Sequence, residues 1–160
     1  NGTVKTTSVA VNNVSNQKLT LEKGKTFALQ AVRVPFTSTQ KITYASSNKN
    51  VAMVTSSGTV KAVAAGKAEI TVASGSKKVK VTVTVPGITN VKSSVSVKKN
   101  KTLTLKPITY GISGKVTYTS SNKNIVSVTS KGKIKGLKKG TAKITIKAGN
   151  FKQVVTVQVK

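Results

Sequence analysis

The sequence predicts an all-β protein built from two tandem β-sandwich domains. Apolar residues alternate with polar ones at a period of two, and no window of useful length has apolar residues at helical spacing. In residues 78–85, for example, four valines alternate with lysines and threonines, which predicts a strand with one buried and one solvated face. Turn residues separate such runs at short intervals, as is typical of a sandwich.

An internal repeat predicts the two domains. Residues 44–72 and 118–146 align without gaps and are identical at 15 of 29 positions. A strand-like run stops at Pro86 and Gly87 and a new one starts at Ile88, so we expect one domain at 1–86 and another at 87–160. A two-residue linker, at about 3.5 Å per residue, is expected to allow the domains little independent swing.

Glycines recur at equivalent turns of the two copies. Gly58 corresponds to Gly132, and Gly66 corresponds to Gly140. We expect each of these turns to need a positive φ angle or to lack room for a Cβ atom, rather than to cradle a ligand.

The repeated segment resembles a known family. The string SSNKNVAMVTSSGTVKAVAAGKAEITV (residues 46–72) follows Tyr44, and its counterpart follows Tyr118. An aromatic residue, Ser-Ser-Asn, a short strand, a Gly turn, an apolar strand and a second Gly turn, in this order, resemble the bacterial immunoglobulin-like domain, group 2. The resemblance implies two immunoglobulin-like sandwiches in a surface or secreted bacterial protein, where such modules act as spacers or binding arms.

The chain departs from the family pattern at its charges. Members of the family often carry Asp before the first Gly turn, whereas this chain has Ser56 and Ser57 in one copy and Ser130 and Lys131 in the other. Calcium sites need several carboxylate or carbonyl oxygens, so we expect no metal site and no other cofactor.

The residue types argue against an enzyme. The chain has no His, Cys or Asp, which removes the base, the thiol and most metal ligands that catalytic sites use. Its two carboxylates, Glu22 and Glu69, are far apart in the sequence and neither is repeated in the second copy. We therefore expect no catalytic residues, and we expect Glu69 to lie on a solvated, charged face.

Positive charge is concentrated in the second copy. The net charge is +26, of which +10 belongs to residues 1–86 and +16 to residues 87–160, where there is no acid. If the runs on either side of Gly140 pair as a hairpin, four lysines project from one face and two lie at its tip. Together with a neighbouring turn lysine, they form the candidate polyanion-binding set: Lys131, Lys133, Lys135, Lys138, Lys139, Lys143 and Lys147.

Two interpretations of these lysines remain open. They can be a solubilising surface that also protects edge strands, or they can bind anionic cell-wall polymers such as teichoic acids, or acidic glycans. Dedicated nucleic-acid binding is disfavoured because Arg33 is the only arginine and aromatic residues are few.

The function that the sequence predicts is a non-catalytic extracellular module, on the bacterial cell surface or secreted. It is expected to serve as a structural spacer or adhesive arm, and an unidentified protein receptor is compatible with this. Since no apolar run reaches 18 residues, no membrane insertion is expected, and the first residue, Asn1, suggests a piece of a longer protein.

Overall fold

A computed structural model describes residues 2–160 of the chain. The chain divides into two compact units, one ending at Pro86 and the other spanning Gly87–Lys160. Apart from a short 3-10 turn at Ser15–Gln17, no helix is present between residues 2 and 160. The prediction of an all-β fold is confirmed.

From residue 2 to Pro86, the first unit contains nine strands. They are β1 (Ser8–Val11), β2 (Lys18–Thr20), β3 (Thr26–Ala28), β4 (Ala31–Val34), β5 (Ile42–Ser46), β6 (Ala52–Val54), β7 (Thr59–Ala62), β8 (Gly66–Ser74) and β9 (Lys77–Val85). The strand expected at residues 78–85 is therefore β9.

Two main sheets enclose the core of the first unit. One sheet has the order β2-β9-β8-β5 and the other has the order β3-β7-β6, while β1 and β4 form a separate two-stranded ribbon. All pairs are antiparallel except β2 and β9, which run parallel with Leu19 beside Val83. The first and last strands of the main sheets are thus direct neighbours.

The second unit repeats this arrangement strand for strand. Its strands are β10 (Gly87–Thr89), β11 (Ser94–Val97), β12 (Thr102–Thr104), β13 (Ile108–Tyr110), β14 (Thr117–Ser120), β15 (Val126–Val128), β16 (Lys133–Gly136), β17 (Gly140–Ala148) and β18 (Phe151–Val159). The sheets have the orders β11-β18-β17-β14 and β12-β16-β15, with β10 paired to β13 and β11 parallel to β18.

The core of each unit is aliphatic. Val81, Val83 and Val85 of β9 are fully buried, and they belong to the same core cluster as Ile70 and Val72 of the neighbouring strand β8. The intervening side chains of both strands point outward, since successive residues of a strand face opposite sides of the sheet. Each fully buried Val or Ile contributes about 1.5–3 kcal/mol, so this layer supplies the main driving force for folding.

Glycines at two of the predicted turns leave room for a tyrosine ring. Gly58 has a φ angle of +90°, and a Cβ atom there would lie 2.6 Å from Tyr44 Cζ. Gly132 has a φ angle of +79°, and a Cβ atom there would lie 2.7 Å from Tyr118 Cζ. The expected conformational role of both glycines is confirmed, and the ring of each tyrosine rests directly on its glycine.

The two tyrosines are only partly buried. Burial raises the pKa of Tyr44 and of Tyr118 above the ordinary value of 10.0, because desolvation disfavours the tyrosinate. Between residues 2 and 160, no buried side-chain oxygen or nitrogen lacks a hydrogen-bond partner.

Replacing Gly132 should destabilise the second unit strongly. We expect Gly132→Ala to lower its free energy of unfolding by about 2–4 kcal/mol, because the change combines an unfavourable φ angle with overpacking against Tyr118 and the backbone oxygen of Leu105. Gly114 is the matched control, since it also has a positive φ angle, +105°, but nothing within 4 Å of an added Cβ. Amide hydrogen exchange in β17 measures both effects, and equal losses would contradict the role assigned to the tyrosine contact.

Candidate functional site: the lysines of the second unit

The expected hairpin around Gly140 is wrong. β16 pairs with β12 and β15, whereas β17 pairs with β14 and β18, so the two strands belong to different sheets. Ile134 of β16 and Ile144 of β17 are both fully buried in one core cluster. Each strand therefore covers the core from its own side, and the connection between them crosses from one sheet to the other.

This topology divides the predicted lysine face in two. Lys133 and Lys135 lie on the outer face of the three-stranded sheet, in register with Thr104 and Thr102 of β12. Lys131 lies in the exposed turn that leads into β16. These three side chains point away from one side of the sandwich.

Lys143 and Lys147 lie on the outer face of the four-stranded sheet, on the other side of the same sandwich. Lys152 of β18 stands directly opposite Lys147 and is also exposed. Lys152 is not among the predicted lysines. The Gly149–Asn150 turn signal between two alternating runs could have placed β18 beside β17 and revealed it.

The remaining two candidates, Lys138 and Lys139, lie at the end of the sandwich, in the connection between β16 and β17. The backbone N–H groups of Leu137 and Lys138 both donate to the carbonyl of Ile125, at 2.8 and 3.4 Å. The structure thus brings the seven candidate lysines to three separate places rather than one.

The matching face of the first unit is partly neutralised. Glu69 occupies the position of Lys143, and its carboxylate accepts a hydrogen bond of 3.0 Å from Lys80 Nζ. The Glu69 side chain is 49% exposed, which confirms its expected place on a solvated face. An ion pair this exposed contributes about 0–1 kcal/mol to stability.

Each unit has an open cleft beside its partly buried tyrosine. The cleft at Tyr118 has a volume of about 320 Å³ and includes Lys123, and the one at Tyr44 has about 230 Å³ and includes Lys49. The Ser120 hydroxyl beside the larger cleft already donates to the carbonyl of Val126 at 2.6 Å. This donor is therefore used within the fold.

Among residues 2–160, no three His, Cys, Asp or Glu side chains are grouped so that they could hold a metal ion. In the same part of the chain, no helix has the length and apolar character needed to cross a bilayer.

The fold and its repeat agree with a family match that covers nearly the whole chain. The model of the bacterial Ig-like domain (group 2) matches residues 6–85 and again residues 84–159. The chain therefore belongs to this family and contains two tandem copies of its immunoglobulin-like β-sandwich. Such a domain is a structural, non-catalytic module.

A longer protein is similar to this chain over part of its length. A kappa-carrageenase of Pseudoalteromonas carrageenovora is 49% identical over 74 residues, which are 44% of this chain and 19% of that enzyme. This chain thus spans about a fifth of the enzyme that it matches.

Solved structures of S-layer protein SbsC are also similar. Its domains 4 and 5 are 29% identical, with a TM-score of 0.41 over 74% of this chain and 75% of that one. Its domains 4–9 are 23% identical, with a TM-score of 0.42 over 98% of this chain and 31% of that one. The fold assignment depends on the family match and not on these likenesses.

The pair Lys147 and Lys152 should cost stability. Like charges directly opposite each other across two strands are unfavourable, so we expect Lys152→Glu to raise the free energy of unfolding by about 0.5–1 kcal/mol at low salt. High salt should shrink the gain by screening. Lys131→Glu, in a turn, measures the general effect of a lower net charge. Urea unfolding that gives the same gain for both variants would contradict a specific pair.

Proposed function

We propose that the chain is a non-catalytic arm or spacer of a bacterial surface or secreted protein. It acts outside the cell and either separates other parts of that protein or presents them to a receptor. Membership of the family supports this proposal, as does the tandem of two equivalent units. The similarity to one fifth of a carrageenase also supports a module that accompanies other domains.

The parallel pairing of the first and last strands of each four-stranded sheet is the observation that favours a load-bearing arm. In each unit the first strand of the four-stranded sheet runs parallel to the last strand, as β2 does with β9 and β11 does with β18. A pull on the two ends of a unit then draws these strands past each other lengthwise. Their hydrogen bonds are loaded together, in shear, rather than one after another.

Backbone hydrogen bonds extend these parallel pairs beyond the strands. Leu21 N–H donates to the carbonyl of Thr84 at 3.0 Å in the first unit. In the second unit, Lys160 N–H donates to the carbonyl of Val97 at 3.0 Å and Thr156 N–H donates to that of Ser93 at 2.9 Å. Each unit therefore resists extension along a line of several bonds.

Single-molecule pulling tests the arm directly. The chain has no native cysteine, so pairs of cysteine handles can be introduced at will. Handles at Gly2 and Pro86 load β2 against β9 in shear, whereas handles at Gly2 and Ser76 pull both strands from the same end and peel them apart. We expect a clearly higher unfolding force for the first pair. Equal forces, or a higher force for the second pair, would rule out a load-bearing design.

A second candidate function is the binding of an anionic polymer by the second unit. Its partners would be cell-wall polymers such as teichoic acids, or acidic glycans. A net charge of +16 without any acid favours this function, and all seven candidate lysines are exposed. A dense, unpaired positive charge attracts polyanions at long range.

Retention on teichoic-acid-bearing cell walls tests this second function. If about four lysines contact anionic groups, the affinity of the full chain should fall roughly 10- to 100-fold between 50 and 200 mM salt, because bound counterions are released. The same walls stripped of teichoic acid are the control. Retention that does not change with salt concentration, or that persists on the stripped walls, would contradict this second function.

A further inference from the structure

Three connections of the second unit meet at one end of its sandwich. They are residues 98–101 between β11 and β12, residues 121–125 between β14 and β15, and residues 137–139 between β16 and β17. Together they carry the six lysines that we call the loop-end cluster: Lys98, Lys99, Lys101, Lys123, Lys138 and Lys139. All six are exposed.

Backbone hydrogen bonds tie the first connection to the end of β16. Asn100 N–H donates to the carbonyl of Gly136 at 2.7 Å, and Gly136 N–H donates to that of Lys101 at 3.1 Å. Within the turn, Lys101 N–H donates to the carbonyl of Lys98 at 3.0 Å. Lys138 follows Gly136 by only two residues, so the two lysine-bearing connections lie side by side.

Neighbouring atoms pack closely against the backbone of Gly136. A Cβ atom there would lie 2.9 Å from Val159 Cγ1 and 3.1 Å from the carbonyl oxygen of Lys98. The connection at residues 121–125 joins the same end, because the carbonyl of Ile125 accepts the hydrogen bonds from Leu137 and Lys138. The backbone that carries the lysines is thus held in place, while their ammonium groups remain in water.

The first unit provides an internal comparison. The equivalent positions there are Glu22, Lys23, Lys25, Lys49, Ala64 and Ala65. These six positions carry a net charge of +2 in the first unit and +6 in the second. Since both units share one topology, the fold does not require these lysines.

The sheet faces are poorer sites for a linear ligand. The outer face of the four-stranded sheet carries Lys143 and Lys147, about 13 Å apart along one strand, and Lys152 beside Lys147. Lys133 and Lys135 point away from the opposite side of the sandwich. One polymer chain cannot follow both faces at once. At the loop end, six exposed lysines lie on three connections that backbone hydrogen bonds tie together.

The residue types define the ligand chemistry. The three connections contain only lysine as charged residue, with no arginine fork and no aromatic ring. Lysine acts as a compact, hydrated point charge, so such a cluster responds to the density of anionic groups and does not stack on bases.

We propose that the loop-end cluster is the polyanion-binding site of the second unit, and that its ligand is a linear polymer with phosphate or sulfate groups along its length. This proposal rests on the second candidate function above and gives that function a location. Lys138 and Lys139 belong to the predicted set, whereas Lys98, Lys99, Lys101 and Lys123 are additions.

Two exchange variants of the full chain separate the end from the faces. The end variant is K98E/K138A/K139A, and the face variant is K133T/K143E/K147A. Each substitution introduces the residue that the first unit has at the equivalent position, so the fold tolerates it. Both variants lower the net charge of +26 by the same four units. K138A/K139A alone, in an exposed connection, is a milder form of the end variant.

Binding to inorganic polyphosphate and to kappa-carrageenan is measured against salt for all forms, with hyaluronate as a carboxylate control. We expect the end variant to bind at least tenfold more weakly and to lose about three units of salt slope, since each lost contact removes about one. The face variant should lose less than threefold. Tighter binding to polyphosphate than to kappa-carrageenan would indicate a ligand with phosphate groups, and the reverse would indicate a ligand with sulfate groups.

Five outcomes decide the proposal. Loss in the end variant alone supports it. Equal loss in both variants, or loss in the face variant alone, overturns the location but leaves polyanion binding intact. Absence of binding by the native chain to either polymer at 50 mM salt overturns the second candidate function itself. Tighter binding to duplex DNA than to both polymers would replace the proposed ligand with a nucleic acid.

Discussion

The layer of aliphatic side chains between the two sheets of each unit is the constraint on which the rest of the structure depends. It is built from Val, Ile, Leu and Ala without tryptophan, and its largest fully buried side chains are all Val or Ile. Because every second residue of a strand must enter this layer, the residues between them are forced outward. The lysines of β16 and β17 are exposed for this reason alone, and their exposure does not by itself imply a ligand.

The repeat explains why so much of the fold could be predicted. Alternation defined the strands, and the recurrence of glycine at 58 and 132 marked turns where a side chain is excluded. The pairing of the strands was harder to predict than their positions. A buried alternating strand looks the same whether its successor joins the same sheet or crosses to the other, so β16 and β17 were wrongly paired. Gly140 begins a crossing strand, with a φ angle of +144°, whereas Gly149, with a φ angle of +54°, lies in the true hairpin between β17 and β18.

Charge was predictable in amount but not in arrangement. The alignment of the two copies already shows that Glu22 and Ala64 of the first correspond to Lys98 and Lys138 of the second. Only the topology shows that these positions are neighbours, because Gly136 joins the turn at residues 98–101 to the connection that follows β16. Two units with one backbone can therefore differ in function through a few side chains at one end, while the core and the parallel terminal strands serve both.

The tyrosine that rests on a glycine turn has a consequence for how the protein responds to alkali. In the folded unit, burial keeps the phenol of Tyr44 or Tyr118 neutral at a pH where an unfolded chain would already ionise it, because the pKa of each is raised above 10.0. Ionisation of these phenols therefore leaves the free energy of unfolding unchanged below the unfolded pKa. It lowers that free energy as the pH rises from the unfolded to the folded pKa. Because no tryptophan masks the absorbance of tyrosinate, an ultraviolet titration reports this difference: Tyr44 and Tyr118 ionise at a higher pH in the folded chain than in the unfolded one.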